Sequence, residues 1–145
     1  MLNEFKMKYI FLGDVNSINI EIILKSHKFL KNKVKYILIC NKFEFYSYVK
    51  KIKSKIIINE ILNPIKFTNY KEDSINLFNL ENKFKEKYKN LLSQIKLSNE
   101  LCRATGFDLI TMPIDKSIFK KKIPFNGMTE YLGKINNRNT AMLMY

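Results

Sequence analysis

The feature that most constrains the fold is a regular alternation of short apolar runs and amphipathic segments. Residues 8–12, 34–40 and 55–59 are runs rich in Ile, Leu, Tyr and Phe, a composition typical of buried strands. Between them, residues 18–30 and 43–52 place apolar side chains three and four positions apart, which predicts helices. This order predicts βαβ units, and therefore an α/β fold with a mostly parallel sheet and helices on both faces.

The middle of the chain is less regular. Residues 65–68 and 75–78 are short apolar segments that we interpret as edge strands. From residue 81 to 105 one helical stripe of aromatic and leucine side chains predicts a long helix, with its lysines mostly outside the stripe. Gly106 is expected to end this helix in a left-handed conformation.

Most of the candidate functional motifs lie in the last part of the chain. Residues 108–113 predict a strand closed by Pro113, and Asp115 can cap a helix that runs to residue 122. A second short helix is predicted at residues 128–133. Residues 140–145 are interpreted as a further buried strand.

Length and composition predict one α/β domain over residues 1–145. The mean hydropathy of -0.21, the lack of a long apolar run and an amino terminus unlike a secretory signal make the cytoplasm the expected compartment. Cys40 and Cys102 have no metal-type or redox-type spacing, so we interpret them as core thiols.

The net charge of +13 raises the question of nucleic-acid binding. Of 26 basic residues only Arg103 and Arg138 are arginine, whereas base readout and phosphate clamping favour the guanidinium group. A joint excess of Lys, Asn and Ile is also what an AT-rich coding sequence produces. We therefore rank a nucleic-acid function last and do not expect a membrane partner.

Three segments resemble a known family. Residues 108–119 read DLITMPIDKSIF and residues 124–132 read PFNGMTEYL. These are similar to the Thr-Ala-Pro-Ile-Asn-Lys and Gly-His-Thr-Glu segments of the 4-hydroxythreonine-4-phosphate dehydrogenase family. Residues 12–22, LGDVNSINIEI, resemble that family's opening Gly-Asp-Pro-x-Gly-Ile-Gly-Pro-Glu-Ile. The resemblance covers nearly the whole chain but only the amino-terminal part of the family, so a truncated, divergent member is expected.

The resemblance also implies site residues. The family contacts its substrate through the His and Thr of Gly-His-Thr-Glu, which correspond to Met128 and Thr129 here. A thioether cannot donate a hydrogen bond, so substrate binding is expected to be weakened. Asp14, Thr111 and Lys116 are further candidates, because strand ends and their exit loops hold ligands in open α/β sheets. For Asp14 an Asx turn, and for the other two a turn threonine and a surface lysine, remain alternatives.

The family is an NAD-dependent oxidoreductase of pyridoxine (vitamin B6) biosynthesis that forms homodimers and binds a divalent metal ion. Its fold resembles the domain plan of isocitrate and isopropylmalate dehydrogenases, which this chain would hold incompletely. Ligands for the metal and for NAD are expected in the missing carboxyl-terminal half. His27 is the only histidine and falls on the inner face of a predicted helix, where a core role is expected.

Two functional hypotheses follow from different classes. In the first, the chain is the amino-terminal part of a dehydrogenase for a phosphorylated small molecule and is inactive alone. In the second, it is a catalytically dead α/β remnant that acts by binding a partner protein. An acidic partner would be attracted by the positive charge of the chain.

Overall fold

A computed structural model describes residues 7–120 and 122–142 of the chain, and one five-stranded sheet lies at its centre. The strands are β1 (Lys8–Phe11), β2 (Tyr36–Cys40), β3 (Ile58–Glu60), β4 (Ile75–Asn79) and β5 (Asp108–Thr111). Their order is β3-β4-β2-β1-β5, and every neighbouring pair is parallel. The predicted α/β fold with a parallel sheet is confirmed.

Four helices and one short 3-10 helix accompany the sheet. They are α1 (Asn19–Leu30), α2 (Lys42–Lys51), α3 (Lys87–Thr105), α4 (Met128–Ile135) and the 3-10 helix Lys116–Phe119. The helix α2 begins where the Asn41 side chain accepts a hydrogen bond from the Glu44 backbone N–H at 3.1 Å. The helix α3 ends at Gly106, whose φ of 70° is the predicted left-handed cap.

The sheet is covered on both faces, as predicted. On one face α1 and α2 pack over a cluster that includes Ile10 and Leu38, and on the other face α3 packs over a cluster that includes Tyr9 and Ile39. All five residues of β2 are buried, because a central parallel strand is covered from both sides. In the described part of the chain, no helix is both long and apolar enough to cross a bilayer.

Two expectations for the middle of the chain were wrong. The strand β4 is not an edge strand, because it pairs with both β2 and β3 and its first three residues are buried. Residues 65–68 form turns instead of a strand. The side chain of Asn63 accepts hydrogen bonds from the backbone N–H groups of Ile65 and Lys66, which bends the chain locally.

The long helix begins six residues later than predicted. The side chain of Asn90 accepts a hydrogen bond from the Phe84 N–H at 2.8 Å and donates one to the Phe84 carbonyl at 2.7 Å. These two bonds hold the preceding segment, residues 81–86, in a non-helical loop.

The carboxyl-terminal part also differs from prediction. The helix predicted from residue 115 to 122 is only the 3-10 helix, because Phe119 and Phe125 stack with ring centroids 4.3 Å apart and the chain must turn between them. Residues 140–142 are exposed and have no regular structure, so the predicted buried strand does not begin there. The backbone after α4 instead turns back, with Arg138 N–H bonded to the Gly133 carbonyl. Residues 143–145 lie outside the described part.

Candidate functional site

The exit loops of β1 and β5 leave the same edge of the sheet. The two strands are parallel neighbours, with Phe11 in register with Thr111, so their carboxyl ends lie side by side. Gly13 has a φ of 73°, and a Cβ there would lie 2.8 Å from Ile114 Cγ2 and 3.0 Å from the Pro113 carbonyl oxygen. A glycine is therefore needed for the β1 loop both to turn and to touch the β5 exit.

Asn19 ties these two loops together. Its side-chain Nδ2 donates hydrogen bonds to the carbonyl oxygens of Leu12 at 2.9 Å and Pro113 at 2.7 Å. The residue is 1% exposed. The amide therefore adds a polar bridge between the two loops. No local sequence pattern predicts this bridge, because its second partner lies 94 positions away.

Asp14 has a partner that the sequence did not predict. Its Oδ1 accepts hydrogen bonds from the Asn16 N–H at 3.0 Å, which is the Asx turn, and from Lys87 Nζ at 2.8 Å. The Asp14 side chain is 9% exposed, whereas that of Lys87 is 44% exposed. Sequence reasoning treated Lys87 as a solvated lysine. Its place in the first turn of α3, where the helix dipole disfavours a cation, was the available signal.

The exit from β5 presents polar groups to solvent. Thr111 is half-buried at the end of the strand, and Lys116 is exposed. The carboxylate of Asp115 accepts bonds from the Ser117 N–H at 2.8 Å and the Ser117 hydroxyl at 2.6 Å. These bonds, with weaker attraction from Lys87 and Lys120, hold the pKa of Asp115 below its usual value.

Lys116 reaches toward the start of α4. Its Nζ lies 3.7 Å from the point that a Cβ on Gly127 would occupy, and Glu130 Oε2 lies 2.6 Å from that point. The next two residues, Met128 and Thr129, are half-buried. Lys116 and the Thr129 segment are therefore close together at this edge.

Met128 also has a packing role. Its side chain packs against the cluster of Phe11, Leu91, Phe119 and Phe125, on the face that α3 covers. A thioether suits that apolar contact.

The structure brings the predicted residues to one edge but not into one cavity. A cavity of about 290 Å³ opens beside Gly13 and is lined by Asn16, Lys87, Asn90 and Gln94 among others. Thr111, Lys116, Met128 and Thr129 do not line it. The Asp14–Lys87 pair and the Lys116–Thr129 segment thus form two neighbouring parts of the edge. The ammonium of Lys87 also contributes to the lowered pKa of Asp115, which precedes Lys116.

The described residues do not fit a metal site. Within residues 7–120 and 122–142, no group of three or more His, Cys, Asp and Glu side chains is placed to hold a metal ion. His27 is buried, with its Nδ1 2.9 Å from the Tyr36 hydroxyl, and loss of hydration lowers its pKa. Burial also raises the pKa of Cys40, and that of Cys102 to about 11, so both thiols stay protonated.

Comparison with known proteins was made on sequence and on structure. No protein-family profile matches the chain. Among curated proteins the chain is similar to the 4-hydroxythreonine-4-phosphate dehydrogenase of Campylobacter fetus subsp. fetus, with 31% identity over 145 aligned positions. That match covers 93% of this chain and 42% of the relative. The chain therefore spans less than half the length of this relative.

Solved structures of enzymes that carry the same name are similar in fold. The chain superposes on 4-hydroxythreonine-4-phosphate dehydrogenases from Burkholderia phymatum and Klebsiella pneumoniae with a TM-score of 0.76 and 16% identity in each case. The matches cover 94% and 91% of this chain and 45% of each solved chain. At this identity the likeness shows a shared fold. The predicted resemblance to part of this family is confirmed.

Proposed function

We propose that the chain supplies one wall of the substrate site of an NAD-dependent 4-hydroxythreonine-4-phosphate dehydrogenase, an oxidoreductase of vitamin B6 synthesis, and that it does not complete the reaction alone. The observation that supports this most is the approach of Lys116 to the Gly127–Thr129 segment, at the edge where the β1 exit loop also lies. The family resemblance implies that this segment contacts the substrate.

Each residue has a role that its chemistry allows. The Lys116 ammonium is exposed and can pair with the substrate phosphate as a point charge. The hydroxyls of Thr129 and Thr111 can donate hydrogen bonds to substrate oxygens. Asp14, fixed by its turn and by Lys87, shapes the neighbouring part of the edge.

Hydride transfer is assigned to no residue of this chain. The family resemblance implies a nicotinamide and a divalent metal ion, but the chain has no G-x-G-x-x-G motif and its described residues do not fit a metal site. The proposal is therefore limited to binding and orienting the phosphorylated substrate. A homodimeric, cytoplasmic enzyme completed by a second half is part of the same proposal.

The test is the affinity of the chain for 4-hydroxythreonine 4-phosphate, measured by isothermal titration calorimetry. We expect Lys116→Ala to weaken binding by about tenfold or more, since a charge-assisted hydrogen bond contributes about 1.5–3 kcal/mol. Lys50→Ala is the matched control, because Lys50 is an exposed lysine of α2, on the face of the sheet opposite the one that α3 and the Met128 segment cover. Equal weakening by both variants would mean that only net charge attracts the ligand.

A gain-of-function variant tests the same segment from the other direction. Met128→His restores a donor beside Thr129, so we expect it to tighten binding of the phosphorylated substrate. If neither the wild type nor Met128→His binds the ligand at millimolar concentration, the proposed substrate wall is wrong.

A further inference from the structure

A second surface is lined by none of the predicted site residues. On the face of the sheet covered by α1 and α2, these helices and the segment before β3 enclose an open groove of about 850 Å³. Its apolar lining is contributed by Leu24, Phe29, Tyr48, Ile52 and Ile56. Two of these side chains are unusually open to solvent, Phe29 at 74% and Ile52 at 44%. A groove of this volume with a mainly apolar lining has the size of a ligand-binding cleft.

The rim of this α1–α2 groove is positively charged. Lys25, Lys28 and Lys55 line it together with a single acid, Glu21, which pairs with Lys25 at 2.6 Å. Across the described ranges, Lys28 and Lys55 have no acidic partner within 4.0 Å. An apolar floor with uncompensated lysines on both walls selects an occupant that is apolar on one side and acidic at its flanks.

We propose that the α1–α2 groove binds an acidic amphipathic helix of a partner protein. The shape fits a rod, because α1, about 18 Å long at 1.5 Å per residue, forms one wall, and Tyr48 near the end of α2 together with the following residues 52–56 forms the other. Apolar side chains of the bound helix at positions i, i+3, i+4 and i+7 would contact the floor. Its glutamates and aspartates would meet Lys28 on one wall and Lys55 on the other.

Other occupants fit less well. A second copy of this chain would have to meet the groove's lysines with acidic side chains, and a chain with 26 Lys and Arg and 13 Asp and Glu is poorly suited to that contact. A homodimer through another surface is unaffected by this argument. An anionic membrane surface is flat and does not reach the floor of a concave groove. The proposal is independent of the carboxyl-edge site, because none of the five site candidates lines this groove.

The probe is a synthetic fluorescent peptide of about 18 residues, a length at which an isolated helix is marginally stable. It carries leucine at the helical spacing given above and mostly glutamate elsewhere. The control peptide has the same composition in an order that spreads leucine around the helix. Binding to the 145-residue chain is measured by fluorescence anisotropy at physiological ionic strength, so that loose electrostatic attraction is screened.

Two substitutions of exposed side chains test the groove without disturbing the core. We expect Phe29→Ala and Lys28→Glu each to weaken binding of the amphipathic peptide by about tenfold, a change that corresponds to about 1.4 kcal/mol. The matched controls are Phe43→Ala, which removes a phenyl ring that is 70% exposed outside the groove, and Lys96→Glu on α3. These controls are expected to bind as the wild type does.

Four outcomes overturn the proposal. The first is absence of binding up to millimolar peptide, and the second is equal binding of the control peptide. The third is equal weakening by groove and control variants, which would show that net charge alone acts. The fourth is a different occupant: dimerisation of the chain that Phe29→Ala abolishes, or binding to vesicles of anionic phospholipid that competes with the peptide.

Discussion

The two exit loops at the carboxyl edge reach similar positions by different means. The β1 exit loop begins with three buried residues, 12–14, and is held by hydrogen bonds, chiefly those from Asn19 to the Leu12 and Pro113 carbonyls. The β5 exit is held by aromatic packing, with Phe119 at 1% exposure stacked on Phe125. Because its anchor is apolar, the β5 exit leaves its polar groups, such as Lys116, free to face solvent. A loop anchored by packing can offer polar groups to a ligand, whereas one anchored by hydrogen bonds uses them internally.

The largest effect is expected from the aromatic anchor. Phe119→Ala removes a fully buried ring and its stacking partner's contact, so the free energy of unfolding should fall by about 3–5 kcal/mol. Phe43→Ala, at a ring that is 70% exposed, should change it by less than about 0.5 kcal/mol. Urea unfolding followed by circular dichroism measures both. Similar values for the two variants would mean that packing does not anchor the β5 exit.

The polar anchor is expected to have the next effect. Asn19→Ala leaves the Leu12 and Pro113 carbonyls without this donor, which should cost about 1–3 kcal/mol of unfolding free energy. Asn126→Ala is the control, because Asn126 is an exposed asparagine in the loop that precedes α4. An Asn19→Ala variant as stable as the control would show that water replaces the side chain, and the contrast between the loops would disappear.

The close approach of the loops can be measured with a pair of glycines. Gly13 and Gly106 both have positive φ, 73° and 70°, so alanine at either position costs about 1–2 kcal/mol in backbone strain. Only Gly13 has neighbours within 4 Å of an added Cβ, including Ile114. Gly13→Ala should therefore be the more destabilising substitution in urea unfolding. Equal losses would contradict direct contact between the loops.

The smallest effect concerns the exposed cap of the β5 exit. Hydrogen bonds from Ser117 lower the pKa of Asp115 below 3.8, so this carboxylate stabilises the fold above that pH. The contribution is lost as the pH falls through the lowered pKa. The reason is that Asp115 has a higher pKa in the unfolded chain, so the unfolded chain binds the proton more readily than the folded one. Ser117→Ala should raise the pKa of Asp115, measured by NMR titration of the carboxyl carbon. An unchanged pKa would mean that the hydroxyl does not hold the carboxylate.

The sequence predicted the parts that depend on apolar pattern. The strands β1, β2 and β5 and the helices α1 and α3 were found because buried faces repeat at fixed periods. The interior place of β4 was missed, since strand order depends on pairing between distant segments and leaves no local signal. The turn at residues 65–68 was missed because its cause is one side chain, Asn63, that bonds to the backbone.

The candidate site was predictable only in part. Motif resemblance located Lys116 and Thr129 in two successive segments, and parallel strands explain why the first of these segments lies beside the Gly13 loop. Lys87 could not be assigned from periodicity, because its partner Asp14 lies 73 positions away. The division of the edge into two neighbouring parts depends on which loops pack against α3. A periodic pattern within one segment carries no information about such contacts between distant segments.

The most direct test of the substrate wall is the location of bound ligand. Amide chemical shifts of the nitrogen-15-labelled Met128→His chain would be recorded during titration with 4-hydroxythreonine 4-phosphate. The account predicts saturable shifts at Gly127–Thr129 and Lys116, with smaller shifts in the Gly13–Asn16 loop. Shifts confined to the α1–α2 groove, or absent from residues 116 and 127–129, would contradict it.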